Sequence, residues 1–282
     1  TGKSATFASN PNIEHFEGDL TEPAELSKAC ENIDVIVHLA GLAHTVNVSD
    51  EELQIANVSN TQRLLSAAVK QKVSRFILMS SSLAFAVDDR DRTLTSYGNS
   101  KLAAERLVLA EDRIGSLEGV VLRPVNVYGR GMRGNIAKMI KFIQRRHLPP
   151  LPKLNNRLTL VSISDICRVA LLAATKSHAS GQIFEVTDGV NYTPSQIESA
   201  VYSALKRKSP RWRSPRVLFY AGSLAAEGLN KLGIWRSDLG LRTYRNLVSD
   251  NPLPAQANIT QLDFVPCETL YTAMPEILEL TS

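Results

Sequence analysis

The chain of 282 residues carries 32 Lys and Arg against 28 Asp and Glu, a formal net charge of +4, with 44% apolar and 21% charged residues. Such a composition belongs to a globular enzyme-sized protein with a sizeable core, and the weak positive excess excludes a composition-driven nucleic-acid partner. Cys30, Cys167 and Cys267 lie far apart without CxxC spacing, which argues against a disulfide framework or a structural zinc site and for reduced thiols in a cytoplasmic protein.

In chain order, short β-rich runs alternate with helical stretches, the pattern of a parallel sheet covered by helices. Ile13 to Phe16 reads as a short strand leading into Gly18-Asp19-Leu20, and Pro23 to Glu31 as a helix. Val35 to Ala40 is a continuous apolar run, expected of a strand buried on both faces. Glu51 to Gln71 is a long helix with apolar positions at Leu53, Ala56, Leu64, Leu65, Ala68 and Val69. Phe76 to Met79 is the next strand, ending on Ser80-Ser81-Ser82, and Tyr97 to Glu111 is a helix rich in Ala, Leu, Glu and Lys. Gly119 to Leu122 is again a strand. After it come helices over 135–146, 165–175, 194–206 and 215–232, with strands over 158–163 and 183–186. No run approaches the roughly 18 apolar residues of a membrane span, and the first ten residues lack a signal-like block, so the expectation is a soluble, cytoplasmic protein.

A sheet of this kind is expected to begin with a strand and a Gly-rich turn whose backbone N–H groups meet a pyrophosphate. No such turn precedes Asp19, and roughly forty residues would be needed to supply that unit. The expected fold is therefore α/β, a Rossmann-like doubly wound parallel sheet short of its first βα unit, with a small C-terminal substrate lobe. Residues 1–125 form the dinucleotide-binding part and 126–282 mainly the lobe, with 158–189 returning to the first part.

Tyr97 and Lys101 stand four residues apart, on one face of their helix. A phenol with a pKa of roughly 10 is a poor base near neutrality, and an ammonium one turn away is expected to lower that value. Such a tyrosine can exchange a proton with a hydroxyl or carbonyl while hydride moves to or from nicotinamide. The serines close a parallel strand at its carboxyl end, where open α/β sheets bind ligands.

Six motifs follow one another in order: Gly18-Asp19-Leu20, His38-Leu39-Ala40-Gly41, Asn57-Val58-Ser59-Asn60-Thr61, Ser80-Ser81-Ser82, Tyr97-Gly98-Asn99-Ser100-Lys101, and Leu122-Arg123-Pro124-Val125-Asn126-Val127-Tyr128-Gly129. Together they resemble the extended short-chain dehydrogenase/reductases of the NAD-dependent epimerase/dehydratase family, in particular the UDP-glucose 4-epimerase-like branch. Asn155-Asn156-Arg157 and the closing phrase Leu262 to Pro266 extend the similarity.

The resemblance implies a set of roles. Asp19 and Leu20 lie at the adenine, and Leu39, Ala40 and Gly41 pass the cofactor phosphates and ribose. Asn57 supports the active-site helix and Lys101. Ser80 and Lys101 sit at the nicotinamide ribose, while Pro124 and Val125 flank the carboxamide. Asn126, Asn135 and Arg157 contact the nucleotide diphosphate of the substrate. The catalytic hydroxyl falls on Ser81 with Phe76-Ile77 as anchor, or on Ser82 after a slip of one residue. Ser81, Tyr97 and Lys101 are then the catalytic set, with Ser81 also touching substrate.

Two features depart from the family pattern. The Gly-rich turn is absent, and the segment from Leu83 to Ser96 is short and carries Asp88-Asp89-Arg90-Asp91-Arg92. The implied cofactor is NAD, with NADP open, and the implied substrate a UDP-sugar. The leading activity is 4-epimerisation of a UDP-hexose. The alternatives are a UDP-4-keto-sugar reductase and a non-catalytic cofactor-binding scaffold. A homodimer through the 51–71 and 97–111 helices is implied as well. His38, His44 and His147 have no metal-ligand spacing, so no metal is expected, and His38 reads as a structural histidine. The basic run Lys206, Arg207, Lys208, Arg211, Arg213 and Arg216, with Trp212 among it, has two readings. One is a surface for phosphate or an anionic membrane, with the fairly apolar Val217 to Trp235 on a bilayer interface. The other is a solvated loop before a helix that packs on the lobe. Glu227, Asn230 and Lys231 interrupt the apolar character and favour the second, so membrane contact is not the expectation.

Overall fold

The computed structural model describes residues 10–43, 48–84, 95–132, 134–145, 150–231, 240, 244 and 259–281. The chain divides into two compact units, residues 1–122 with 179–183, and residues 123–178 with 184–282.

The first unit begins with α1 (Pro23–Ala29), which has proline in its first turn, where a missing N–H costs nothing. Strand β1 (Val35–His38) follows. Ser49 then opens a long helical run with a reciprocal cap: its hydroxyl accepts from Glu52 N at 3.2 Å, and the Glu52 carboxylate accepts from Ser49 N at 2.8 Å. The run passes from α2 (Asp50–Gln54) through a π-helical turn (Ile55–Ser59) into α3 (Asn60–Lys70). Strand β2 (Arg75–Met79), helix α4 (Ser96–Arg113) and strand β3 (Glu118–Pro124) complete the pattern.

β1 pairs in parallel with β2, and β2 with β3; β6 (Ile183–Val186) comes next in the order β1-β2-β3-β6. This is an α/β fold of parallel strands with intervening helices, as the alternation in the sequence implies. The core joins Phe76 and Leu78 of β2 to Leu64, Leu65 and Ala68 of α3 and to Ala104 and Val108 of α4.

Two sequence expectations change here. Ile13 to Phe16 forms no strand; Ile13 and Phe16 are 45% and 40% exposed. An extended segment becomes a strand only against a ladder partner, and no described residue pairs with this one. Nor is β1 buried on both faces: Val37 is 41% exposed, and β1 stands at the edge of the sheet.

The second unit contains β4 (Asn126–Tyr128), α5 (Asn135–Gln144), β5 (Leu158–Ser162), α6 (Ile163–Thr175), β7 (Asn191–Tyr192), α7 (Pro194–Ala204), α8 (Arg216–Lys231) and α9 (Leu270–Thr281). A second sheet runs β4-β5-β7, parallel between β4 and β5 and antiparallel between β5 and β7. Its core gathers Tyr128, Ile140, Leu160, Tyr192, Ile197 and Met274. The two buried phenols donate to Asp188, from Tyr128 at 3.1 Å and from Tyr192 at 2.6 Å, so the carboxylate is satisfied without a cation. The closing phrase is tied down through fully buried Asp165, which accepts from Cys267 N at 3.2 Å. Arg168, paired with Asp165, donates to Val265 O at 3.1 Å. Helix α9 was hidden in the sequence because Pro275 lies inside it, where a proline ordinarily marks a break. Among the described residues no helix is long and apolar enough to cross a membrane, and no three His, Cys, Asp or Glu side chains cluster as a metal site.

Candidate active site

The site grows from the carboxyl end of β2. Ser80 N continues the ladder by donating to Leu122 O at 2.7 Å, after which the chain turns into a short 3-10 segment, Ser82–Ala84. The Ser81 side chain accepts from Leu83 N at 3.2 Å, which fixes the turn and leaves its own O–H to donate elsewhere. Its partner is the phenol of Tyr97.

Helix α4 starts beside this turn. Thr95 caps it, accepting from Gly98 N at 3.1 Å. Gly98 explains how close the turn and helix lie: a Cβ there would stand 2.2 Å from the Leu83 carbonyl oxygen, so no other residue fits without displacement. From this start, three residues spaced by one helical turn reach the end of β2. Tyr97 meets Ser81, Lys101 Nζ donates to Met79 O at 3.0 Å, and Glu105 accepts from Ser80 Oγ. Lys101 and Glu105 are buried, at 6% and 1% exposure.

The π-helical turn supplies the second support. It places Asn57, 1% exposed, where both ends of its amide are used. Oδ1 accepts from Leu42 N at 2.8 Å, while Nδ2 donates to Leu42 O at 3.1 Å and to Ser100 Oγ at 3.0 Å. Ser100 Oγ in turn donates to Tyr97 O at 2.8 Å. One amide therefore ties the loop after β1 to the first turn of α4. A π turn inside an α-helix is a common device for aiming such a side chain. Gly41, at φ +154°, passes so near that a Cβ would lie 2.6 Å from Asn57 Oδ1 and 3.4 Å from Lys101 Nζ.

Beneath this lies His38, 3% exposed, with Nε2 at 3.0 Å from Thr61 Oγ1. The Thr61 hydroxyl spends its proton on Asn57 O at 2.7 Å, so His38 Nε2 must carry the hydrogen it shares with Thr61. Burial first, and the Lys101 charge second, push the His38 pKa down to about 4. The imidazole is thus a neutral structural group, as the sequence suggested.

The electrostatics of Tyr97 correct the sequence reading. Burial raises its pKa above the usual phenol value, and only the Ser81 hydrogen bond opposes that rise. Lys101 is not among the groups that lower it; its ammonium donates to the Met79 carbonyl. Burial lowers the pKa of Lys101 itself, with Glu105 opposing. Tyr97 therefore rests as a neutral phenol, a proton donor.

The remaining sequence-derived positions are more scattered. Leu39, Ala40 and Gly41 are exposed at the end of β1, Leu39 at 67%. Asp19 is exposed and folds onto Thr21, whose N–H and hydroxyl lower its pKa. Leu20 packs partly against the core of the first unit. Pro124, Val125 and Asn126 lie in the second unit, Val125 buried with its N–H on Val186 O at 3.2 Å and Asn126 exposed at the start of β4. Arg157 is exposed just before β5. Asn135 begins α5, and its side chain lies outside the described residues, as do Asp88 to Arg92, His44 and His147. Sequence reasoning missed Glu105, Ser100 and Thr61. The repeat of four from Tyr97 through Lys101 to Glu105 was the available signal.

An open backbone at Leu39–Gly41 beside a buried ammonium, with a phenol–serine pair on the same helix start, fits the nicotinamide-ribose half of a dinucleotide. Residues 2–187 match the NAD dependent epimerase/dehydratase family. The chain belongs to that family. It is 27% identical over 213 residues to the UDP-glucose 4-epimerase of Vibrio cholerae, covering 70% of this chain and 64% of that protein. It is 30% identical over 209 residues to the sterol-4-alpha-carboxylate 3-dehydrogenase of Candida albicans, covering 66% and 59%. The chain thus spans under two thirds of both relatives. The structure of the Bordetella bronchiseptica enzyme WbmG in complex with NAD and UDP superposes with a TM-score of 0.72 at 17% identity, covering 99% of this chain and 83% of that one.

Two outcomes follow. A neutral His38 contributes stability that is complete above pH 6.5 and is lost as the pH falls through about 4. Urea unfolding across that window should show a decline to which His38 contributes about 3 kcal/mol at most, and His38→Gln should flatten that part of the slope. Gly98→Ala should cost about 1–3 kcal/mol through overpacking and weaken turnover along with it, checked by chemical denaturation beside an activity assay.

Proposed function

We propose that the chain forms part of an NAD(P)-dependent enzyme that acts on the C4 position of a UDP-hexose, with 4-epimerisation the leading activity. The hydrogen bond between Ser81 and the Tyr97 phenol carries the reading, supported by the family match and the similarity to a UDP-glucose 4-epimerase. Bound nicotinamide supplies the acceptor and donor of hydride.

The chain's own residues handle the proton. Tyr97 is the acid–base at the sugar oxygen, taking the hydroxyl proton when the carbon is oxidised and returning it when the ketone is reduced. Ser81 donates to the Tyr97 oxygen and so favours phenolate, partly offsetting burial. Lys101 adds a fixed positive charge at the inner side of the loop that ends β1. Leu39 to Gly41, Asn57, Ser80, Pro124 and Val125 belong to the proposed cofactor contacts, with Asp19 and Leu20 toward the adenine. Asn126, Asn135 and Arg157 are the proposed diphosphate contacts, Arg157 through its guanidinium fork. A homodimer through the α2–α3 run and α4 is part of the same reading.

A second reading uses the same residues: Tyr97 as a proton donor also serves the reduction of a 4-keto-sugar with NAD(P)H. The two differ in stoichiometry. An epimerase interconverts UDP-glucose and UDP-galactose with no net cofactor change, whereas a reductase consumes one NAD(P)H per keto-sugar. Tyr97→Phe should lower kcat at least about 100-fold in either case and leave the folded state intact by circular dichroism. Unchanged turnover in Tyr97→Phe would remove the proposal.

A further inference from the structure

Helix α8 (Arg216–Lys231) does not pack as a helix with a polar outer side. Its inward stripe is Phe219, which joins the core of the second unit, and Ala226, at 4% exposure. The opposite stripe is also apolar: Val217 and Leu218 are 76% and 66% exposed, Leu224 is 51% exposed, and Ala221 and Ala225 are exposed between them. These positions recur at helical spacing, so they form one continuous face rather than scattered side chains. From Val217 to Asn230 the only charged residue is Glu227. A helix apolar on both sides is ordinarily covered on both sides.

The approach to the helix is basic and aromatic. Residues 206–230 hold six Lys or Arg against one acidic residue, Glu227. Three of the arginines bind the approach to its own unit: Arg207 donates to Gln144 O at 2.9 Å, Arg216 donates to Lys153 O at 2.8 Å, and Arg213 pairs with buried Glu198. The other three cations, Lys206, Lys208 and Arg211, are exposed, and Trp212 beside them is 59% exposed. An indole next to cations, ahead of a helix with an apolar outer face, is the arrangement of a segment lying in a lipid headgroup layer.

We propose that α8, with Lys206 to Trp212, is a docking surface for an anionic lipid bilayer. The outer face of α8 enters the acyl boundary, Trp212 sits at headgroup level, and Lys206, Lys208 and Arg211 meet lipid phosphates. Charge selects this occupant over a second copy of the chain, since the approach to α8 carries one sign and a second copy would bring more of it. The proposal takes up the less favoured of the two readings of this segment in the sequence, on the strength of the exposed outer face of α8. It is independent of the catalytic reading, because it involves none of the proposed site residues.

The test is co-sedimentation of the full chain with vesicles of phosphatidylcholine alone and of phosphatidylcholine mixed with phosphatidylglycerol, at low and high salt. Expected is binding to the mixed vesicles that weakens with salt, with a blue shift of tryptophan fluorescence. The pair Val217→Asp with Leu224→Asp, and the pair Lys208→Glu with Arg211→Glu, should each lower that binding at least about tenfold while the thermal transition of the protein is kept. The wild-type titration stands alone if a variant does not fold. Absence of wild-type binding to mixed vesicles overturns the proposal, as does undiminished binding by the Val217/Leu224 variant. So does a dimer, seen by light scattering, that the same variant converts to monomer without any vesicle binding, since a second copy would then cover the face.

Discussion

Three side chains on one helix, Tyr97, Lys101 and Glu105, reach three consecutive residues at the end of β2, and the rest of the site depends on that ladder. Each contact is one helical turn from the next, so the register of α4 against β2 is fixed at three points. Two are buried and charge-assisted: the Lys101 ammonium on the Met79 carbonyl and the Ser80 hydroxyl on the Glu105 carboxylate. The third, between Ser81 and Tyr97, lies at the half-exposed end, where the proposed chemistry takes place. Gly98 permits the close approach, and Asn57 locks the neighbouring loop to the same helical turn. The phenol is thereby positioned before any ligand arrives, which is how positioning lowers a barrier.

Burying that ladder has an electrostatic consequence. It pushes the Tyr97 pKa up and pulls the Lys101 pKa down, each opposed by one local partner, Ser81 for the phenol and Glu105 for the ammonium. A pair arithmetic of phenol and ammonium alone does not capture the site. Glu105 opposes the fall of the lysine pKa, while Ser81 favours the phenolate.

Periodicity made most elements legible. The strands over β2, β3 and β6 and the helices α3, α4, α6 and α7 follow from apolar spacing and end signals in their own residues. What failed was tertiary. Ile13 to Phe16 has strand composition but no described ladder partner, and Val37 has core composition on an edge strand. Pro275 concealed a helix that packing stabilises. At the site, Tyr97 and Lys101 stand out by their spacing, while the resemblance pointed to Ser81 and left Ser82 open; that Ser81 is the one that meets Tyr97 depends on the Ser82–Ala84 turn. The direction of the Tyr97 shift depends on burial, which spacing does not reveal. The apolar character of α8 was legible, with Glu227, Asn230 and Lys231 weighing against a bilayer surface, but only the packed structure shows that Val217, Leu218 and Leu224 are left exposed.

The most direct measurement is turnover of Ser81→Ala against Ser82→Ala under identical conditions, on UDP-glucose and on a UDP-4-keto-sugar with NAD(P)H. If the ladder sets the chemistry, Ser81→Ala loses at least about 100-fold in kcat while Ser82→Ala stays near wild type. Loss on Ser82→Ala with Ser81→Ala unaffected would contradict the arrangement described, because the hydroxyl paired with Tyr97 would then not be the one that serves the reaction.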